Sequence, residues 1–151
     1  CSGAQMMLKA AQVPTEQMPI MLAFLQDMYD RLKKNIADAT RQEEKSKAHA
    51  KEEMMKWEKK DDKWKNDPAM QRIHSYWQQQ RVLSHRHYKA VLNMAHSSMK
   101  RIKWTMDLME KAIAGQKPTK EEMEKLAAMA GGGVQNDFLV FVQRAIALAP
   151  Y

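Results

Sequence analysis

The sequence predicts an all-α protein: a long antiparallel, coiled-coil-like helical hairpin with two short C-terminal helices packed at its base. The 151-residue chain is rich in Lys, Glu, Ala, Met, Gln and Leu and has only five Gly and five Pro, which favours long helices over strands. Apolar residues recur every three or four positions in two long segments, separated by Asn66-Asp67-Pro68,. We expect one helical domain over residues 1–151,.

The first long helix is predicted over residues 14–65. Pro14 and Pro19 lie near its start, and proline is well placed in the first turn of a helix. Between residues 37 and 53 the apolar pattern fades, although helix propensity remains high,. The apolar stripe comprises Met21, Leu25, Met28, Leu32 and Ile36, widened by Phe24 and Tyr29, and it resumes at Met54, Met55, Trp57 and Trp64.

The second long helix is predicted over residues 68–114, with Asp67 as N-cap, Pro68 as the first helical residue and Gly115 as the stop,. Its C-terminal half has an apolar seam whose steps alternate between four and three residues, as in coiled coils. The seam consists of Tyr88, Leu92, Ala95, Met99, Ile102, Met106, Met109 and Ile113. Before Tyr88, the positions that continue the seam are occupied by polar residues, and the apolar residues lie on another face of the helix. We therefore expect the two halves of this helix to meet different neighbours.

Folding the chain at residues 66–68 places the apolar parts of the two helices side by side. Leu32 then lies near Ile102, and Trp57 lies near Trp77. The polar middle of the first helix faces residues 81–97, where the second helix is also weakly apolar. This agreement between two segments supports the antiparallel pairing.

Residues 120–149 are predicted to form two short helices joined by Gly131–Gly133. Thr119 and Glu122 have the spacing of a capping box at the start of the first,. The second, from Phe138 to Ala149, is too short to span a bilayer. We expect it to fold back onto the base of the hairpin, with docking onto another protein as the alternative.

An enzyme is not expected from this sequence, and no cofactor is predicted. Gly131–Gly133 lacks the Lys-Ser/Thr that follows a phosphate-binding loop,. The single cysteine, Cys1, allows no intramolecular disulfide and no cysteine-based metal site,. No apolar run approaches the length of a membrane span.

The histidines do not predict a metal site. His85 and His87 diverge on a helix because two residues subtend about 200°. His74, His85 and His96 share one side, but successive members lie ~16 Å apart along the helix axis. We interpret them as hydrogen-bonding residues at a polar helix interface, with a metal or pigment ligand as the less favoured alternative.

The basic residues are the most informative feature. Residues 68–106 contain seven Lys or Arg and no acid, and the remainder of the chain has 18 bases and 18 acids. Most of these bases fall on one side of the second helix, over ~46 Å. We call this group the basic flank; it comprises Arg72, Arg86, Lys89, Lys100 and Lys103, with His85 and His96.

The basic flank has two interpretations. It can pair internally with Glu43, Glu44, Glu52 and Glu53 of the first helix. It can also attract an external anionic partner. The expected partner is then an acidic surface of a larger protein complex. Nucleic acid is a second candidate, given the pI of about 9.5 and Trp104 beside the flank, and an anionic membrane surface is a third.

Two further features bear on partners. Trp57, Trp64 and Trp77 gather near the tip of the predicted hairpin and are candidate contacts. The chain starts with Cys-Ser-Gly-Ala rather than Met, which is typical of a processed or truncated exported or organellar protein. A lipid-anchored Cys1, as in an envelope protein, is one alternative, and simple removal of a leader is the other.

Residues 76–115 have the sequence YWQQQRVLSHRHYKAVLNMAHSSMKRIKWTMDLMEKAIAG. This segment resembles part of the Met- and Lys-rich helical accessory proteins of dinoflagellate-type algae. The resemblance covers about a quarter of the chain and transfers no functional residue. It implies a nucleus-encoded plastid protein attached to a photosynthetic complex. The expected function is therefore a non-catalytic accessory or scaffold subunit, with a nucleic-acid-binding protein as the runner-up.

Overall fold

The computed structural model confirms the all-α fold class. It describes residues 17–130 and Val142, Ala145, Ile146 and Ala149, excepting the side chains of Leu126, Ala127 and Ala130. The named helices are α1 (Met18–Glu58), α2 (Asp62–Lys65), α3 (Pro68–Ile113) and α4 (Lys120–Ala130).

The chain groups into two compact units. The first contains the described residues up to Leu32 and those from Ser97 onward, and the second is Lys33–His96. In the second unit, Thr40 Oγ1 and Tyr88 Oη are 3.0 Å apart and Trp57 stacks on His74. Trp57 follows Thr40 along α1, whereas its partner His74 precedes Tyr88 along α3. The two helices therefore run antiparallel, as predicted.

The first unit contains the hydrophobic core. Apolar positions of α1 and α3 spaced three and four residues apart face one another, as the seam in the sequence predicts,. Leu25 and Met109 are fully buried. The core also buries Met18, Met21, Ile102, Met106, Leu108 and Ala112.

Four residues near the C-terminus belong to the same core. Val142, Ala145 and Ile146 are buried in it, and Ala149 packs against it. For these residues, the prediction that the last segment folds back onto the apolar region of the long helices is confirmed. The rest of the predicted final helix, the Gly131–Gly133 linker and residues 1–16 lie outside the described residues.

The second unit has very little buried surface. Among its residues only Glu43 and Ala95 are buried, while large apolar side chains lie exposed on α1, α2 and α3. These exposed residues are Met54, Met55, Trp64, Ile73, Tyr76, Trp77, Val82, Leu83 and Met94. This unit consequently gains less hydrophobic stabilisation than the first.

The turn between the long helices differs from the sequence prediction. The helix predicted over residues 14–65 ends at Glu58 in the structure, and α2 intervenes before α3. The carboxylate of Asp61 accepts the backbone N–H of Trp64 at 2.9 Å and caps α2,. Because the chain turns before Asn66, the pairing is offset, so that the ring of Trp57 stacks on His74 and the ring of Trp77 meets His49.

The predicted ends of the second long helix and the predicted capping box are confirmed. Asp67 Oδ1 accepts the Ala69 N–H at 2.9 Å at the start of α3,. Gly115 has φ 79°, and backbone bonds from Gly115 to Ala112 and from Gln116 to Lys111 form a Schellman motif after α3,. The side chains of Thr119 and Glu122 each accept the other's backbone N–H, as in a capping box,.

Candidate partner-binding surface

The basic flank lies on α3, and its bases are exposed. Arg72, Arg86 and Lys89 belong to the second unit. Lys100 and Lys103 belong to the first. Within the part of the chain that the structure describes, none of these five forms an ion pair. Their charges are therefore open to solvent and to a partner.

The carboxylates of α1 are engaged mainly within their own helix. Glu44 pairs with Lys47 at 3.5 Å, and Glu52 and Glu53 both pair with Lys56. Glu43 is different, because its carboxylate reaches across to α3. Among the residues that the structure describes, the internal-pairing interpretation of the basic flank therefore holds for His85 alone.

Glu43 lies at the centre of a polar contact between α1 and α3. Its side chain is 2% exposed, and its Oε1 accepts hydrogen bonds from Arg81 Nη2 at 2.7 Å and His85 Nδ1 at 2.9 Å. A carboxylate can only accept hydrogen bonds, so the Nδ1 atom of His85 carries the hydrogen. Glu43 Oε2 and Arg81 Nη1 are buried and have no partner within the described structure.

The hydrogen bonds to Glu43 stabilise its ionised form. They lower the pKa of this carboxyl group below its ordinary value of 4.5, with the hydrogen bond from His85 as the largest cause and that from Arg81 next,. A carboxyl group whose pKa is lower in the folded state stabilises the fold above its unfolded pKa. This stabilisation is lost as pH falls below that value and through the lowered pKa.

We expect the thermal unfolding midpoint of the protein to fall less steeply with acidification when Glu43 is replaced by glutamine. Circular dichroism melts between about pH 6 and about pH 3 measure both slopes. Glu122, whose pKa is also lowered by the Thr119 backbone and Lys111, is present in both proteins and contributes to both slopes. Equal slopes would show that Glu43 contributes nothing to acid sensitivity.

The other histidines occupy different environments. His96 is exposed. His74 stacks on Trp57 with ring centroids 4.1 Å apart and planes 6° apart, and His49 meets the edge of Trp77 at 5.6 Å. Within the described ranges, no group of three or more His, Cys, Asp or Glu side chains could hold a metal ion.

The predicted tip residues line cavities in the second unit. Trp57, Trp64 and Trp77 line a cavity of about 480 Å³, and Trp77 also lines a second cavity of about 490 Å³. Trp64 is 42% exposed, and Lys60 Nζ lies 4.8 Å from its ring centroid, an arrangement typical of a cation–π contact. The three tryptophans thus present partly exposed aromatic surface.

Arg81, His49 and His74 were missed as site residues by sequence reasoning. Arg81 lies outside the basic flank, yet it is the base that pairs with Glu43. Its position in phase with the apolar seam, between His74 and His85, was the available signal. A polar side chain at a seam position needs a polar partner on the facing helix.

Polar and aromatic side chains of α3 contact α1 in the second unit. Arg81, His85 and Tyr88 keep the seam phase and contact α1, whereas Tyr76 and Leu83 are exposed. Glu43 thus supplies a polar partner for the polar seam of the second unit, and the expectation of different neighbours for the two halves of α3 stays a prediction.

Comparisons with known proteins identify no relative: no family model, curated protein or solved structure matches the chain. Among the described residues, no helix is both long and apolar enough to span a membrane.

Proposed function

We propose that this protein is a non-catalytic accessory or scaffold subunit that docks onto an acidic surface of a larger protein assembly through the basic flank. The observation that supports this most is the pairing of charges in the second unit. Arg72, Arg86 and Lys89 are exposed and unpaired among the described residues, while the nearby acids of α1 bind other bases.

The surroundings of these bases strengthen the electrostatic argument. Residues 68–106 contain no acid, so no neighbouring carboxylate along α3 offsets their positive potential. Bases without internal partners steer an anionic surface toward the helix and favour an oriented encounter. The resemblance of residues 76–115 suggests a photosynthetic complex of a plastid as the assembly.

Nucleic acid is the second candidate, and the net charge of +7 favours it,. Trp104, beside the flank, is half-buried, and Lys125 Nζ lies 4.5 Å from its ring centroid. This ring is therefore less available to stack on a base. The protein-partner proposal takes precedence for that reason.

The proposal is tested by isolating the protein with its assembly and reversing three charges of the basic flank. We expect the combined change of Lys89, Lys100 and Lys103 to Glu to reduce co-isolation at least about tenfold, because repulsion replaces attraction. A matched control changes Lys34, Lys45 and Lys51, which are exposed on α1, and alters net charge equally.

Undiminished co-isolation of the flank variant would contradict the proposal. Equal losses in both variants would show that net charge alone governs the association. Salt-sensitive binding to duplex DNA or RNA at physiological ionic strength, lost in the flank variant, would favour the nucleic-acid alternative instead.

A further inference from the structure

One face of α3 in the second unit is exposed and has a regular pattern. Tyr76, Leu83 and Ala90 are exposed and spaced seven residues apart. Arg72, Gln79, Arg86 and Asn93 are also exposed, and they follow the same interval. We call these seven residues the outer stripe. Positions at a seven-residue interval lie on one side of a helix, so these residues form one continuous exposed surface with an apolar and a polar row.

The outer stripe faces away from α1. Arg81 and His85 contact α1, and each is two residues from Leu83. Two residues turn a helix by about 200°, so Leu83 points to the opposite side. Tyr76 and Leu83 are each 55% exposed, and Met94, next to Asn93, is 72% exposed.

The surface around Leu83 has room for a partner side chain. A shallow cavity of about 400 Å³ lies there, and every residue that lines it belongs to α3. Val82 and Leu83 supply its apolar part, and Arg86 supplies a positive charge. An apolar side chain and a carboxylate projecting from one partner helix match this combination.

We propose that the outer stripe binds an acidic amphipathic helix of the partner, with apolar residues on Tyr76, Leu83 and Ala90 and carboxylates facing Arg72 and Arg86. This rests on the proposed function and specifies its partner chemistry. Successive contacts lie one heptad, ~10.5 Å, apart along α3. Apolar burial supplies affinity, and the arginine–carboxylate pairs fix register and orientation.

A second copy of the chain fits the outer stripe poorly. Residues 68–106 contain no acid, so pairing two such stripes opposes arginines with arginines or amides. Like charges in a helix seam are unfavourable. The segments of this chain outside the described helices are also unsuitable, since residues 1–16 and 131–151 each contain one acid, Glu16 and Asp137.

The test uses synthetic helical peptides and the full chain. The main probe is a peptide of about three heptads. In each heptad, leucine occupies one of the two seam positions and glutamate occupies the other. One control peptide has the same composition in scrambled order, and another has lysine in place of glutamate. Intrinsic tryptophan fluorescence or peptide anisotropy measures binding at low and high ionic strength.

We expect the acidic amphipathic peptide to bind at least about tenfold more tightly than either control peptide. Leu83→Gln and Arg86→Gln should each weaken binding by about fivefold to tenfold. Met55→Gln and Lys45→Gln make matched changes at exposed positions of α1, and they should leave the affinity unchanged. Circular dichroism verifies that each variant retains its helix content.

Three outcomes would overturn the inference. Equal binding of ordered and scrambled acidic peptides, unaffected by Leu83→Gln, would show attraction by charge alone and leave the proposed function standing. A dimer detected by sedimentation and dissociated by Leu83→Gln would assign the outer stripe to a second copy. Absence of acidic-peptide binding even at low ionic strength would contradict the inference, while co-isolation of the variant at Lys89, Lys100 and Lys103 would still decide the proposed function.

Discussion

Replacing Leu25 with alanine is expected to lower the free energy of unfolding by about 3 kcal/mol. Leu25 is fully buried in the core of the first unit, among residues of α1 and α3. The loss combines lost apolar transfer energy with the cavity left behind. The thermal midpoint should fall by roughly 6–10 °C for a chain of this size, as measured by circular dichroism or calorimetry.

Ile20→Ala is the control for this prediction. Ile20 is on the same helix but is 57% exposed, so its replacement should change the unfolding free energy by less than ~0.5 kcal/mol. Similar losses for the two variants would mean that the core is not organised around Leu25. Chemical denaturation distinguishes a change in midpoint from a change in slope.

Replacing Arg81 with alanine is expected to give the largest effect in the second unit. Glu43 would keep a buried carboxylate and lose its hydrogen bond of 2.7 Å from the guanidinium. Breaking one side of a buried ion pair is strongly destabilising because the remaining charge is left without compensation. We expect the thermal midpoint to fall on the order of 5 °C, with faster hydrogen exchange in residues 33–96.

Arg72→Ala makes the same chemical change at an exposed position of α3 and should leave the midpoint unaltered. The double replacement of Glu43 and Arg81 by leucine should recover much of the lost stability, because no unpaired charge then remains. If Arg81→Ala behaves like Arg72→Ala, the Glu43 pair is not a stabilising contact between α1 and α3.

The core of the first unit was predictable because a single physical pattern determines it. Ile102, Met106 and Met109 repeat at helical spacing and are all buried. The burial of residues beside this pattern was less predictable. Phe24 was expected to widen the stripe of α1 but is 57% exposed, since helical spacing identifies a face without fixing how much of that face the partner covers.

Periodicity places Arg81 at a seam position of α3 but does not identify Glu43 as its partner on α1. Glu43 appeared as one of several acids in a charged segment, and only the geometry of the pair shows that it is buried beside Arg81 and His85. The turn also mattered. Asp61 caps α2 after the end of α1, so the contacts between α1 and α3 are offset from those predicted. Such offsets depend on tertiary geometry rather than on hydrophobic pattern.

The uneven burial of methionine has a chemical consequence for this protein. Met106 and Met109 are buried in the first unit, whereas Met55 and Met94 of the second are exposed by 49% and 72%. Oxidation of methionine to its sulfoxide follows access of the oxidant to sulfur and turns an apolar side chain into a polar one. The exposed methionines of the second unit are therefore open to oxidation. A partner covering α3 around Met94 would protect the sulfur of that residue from oxidation by peroxide.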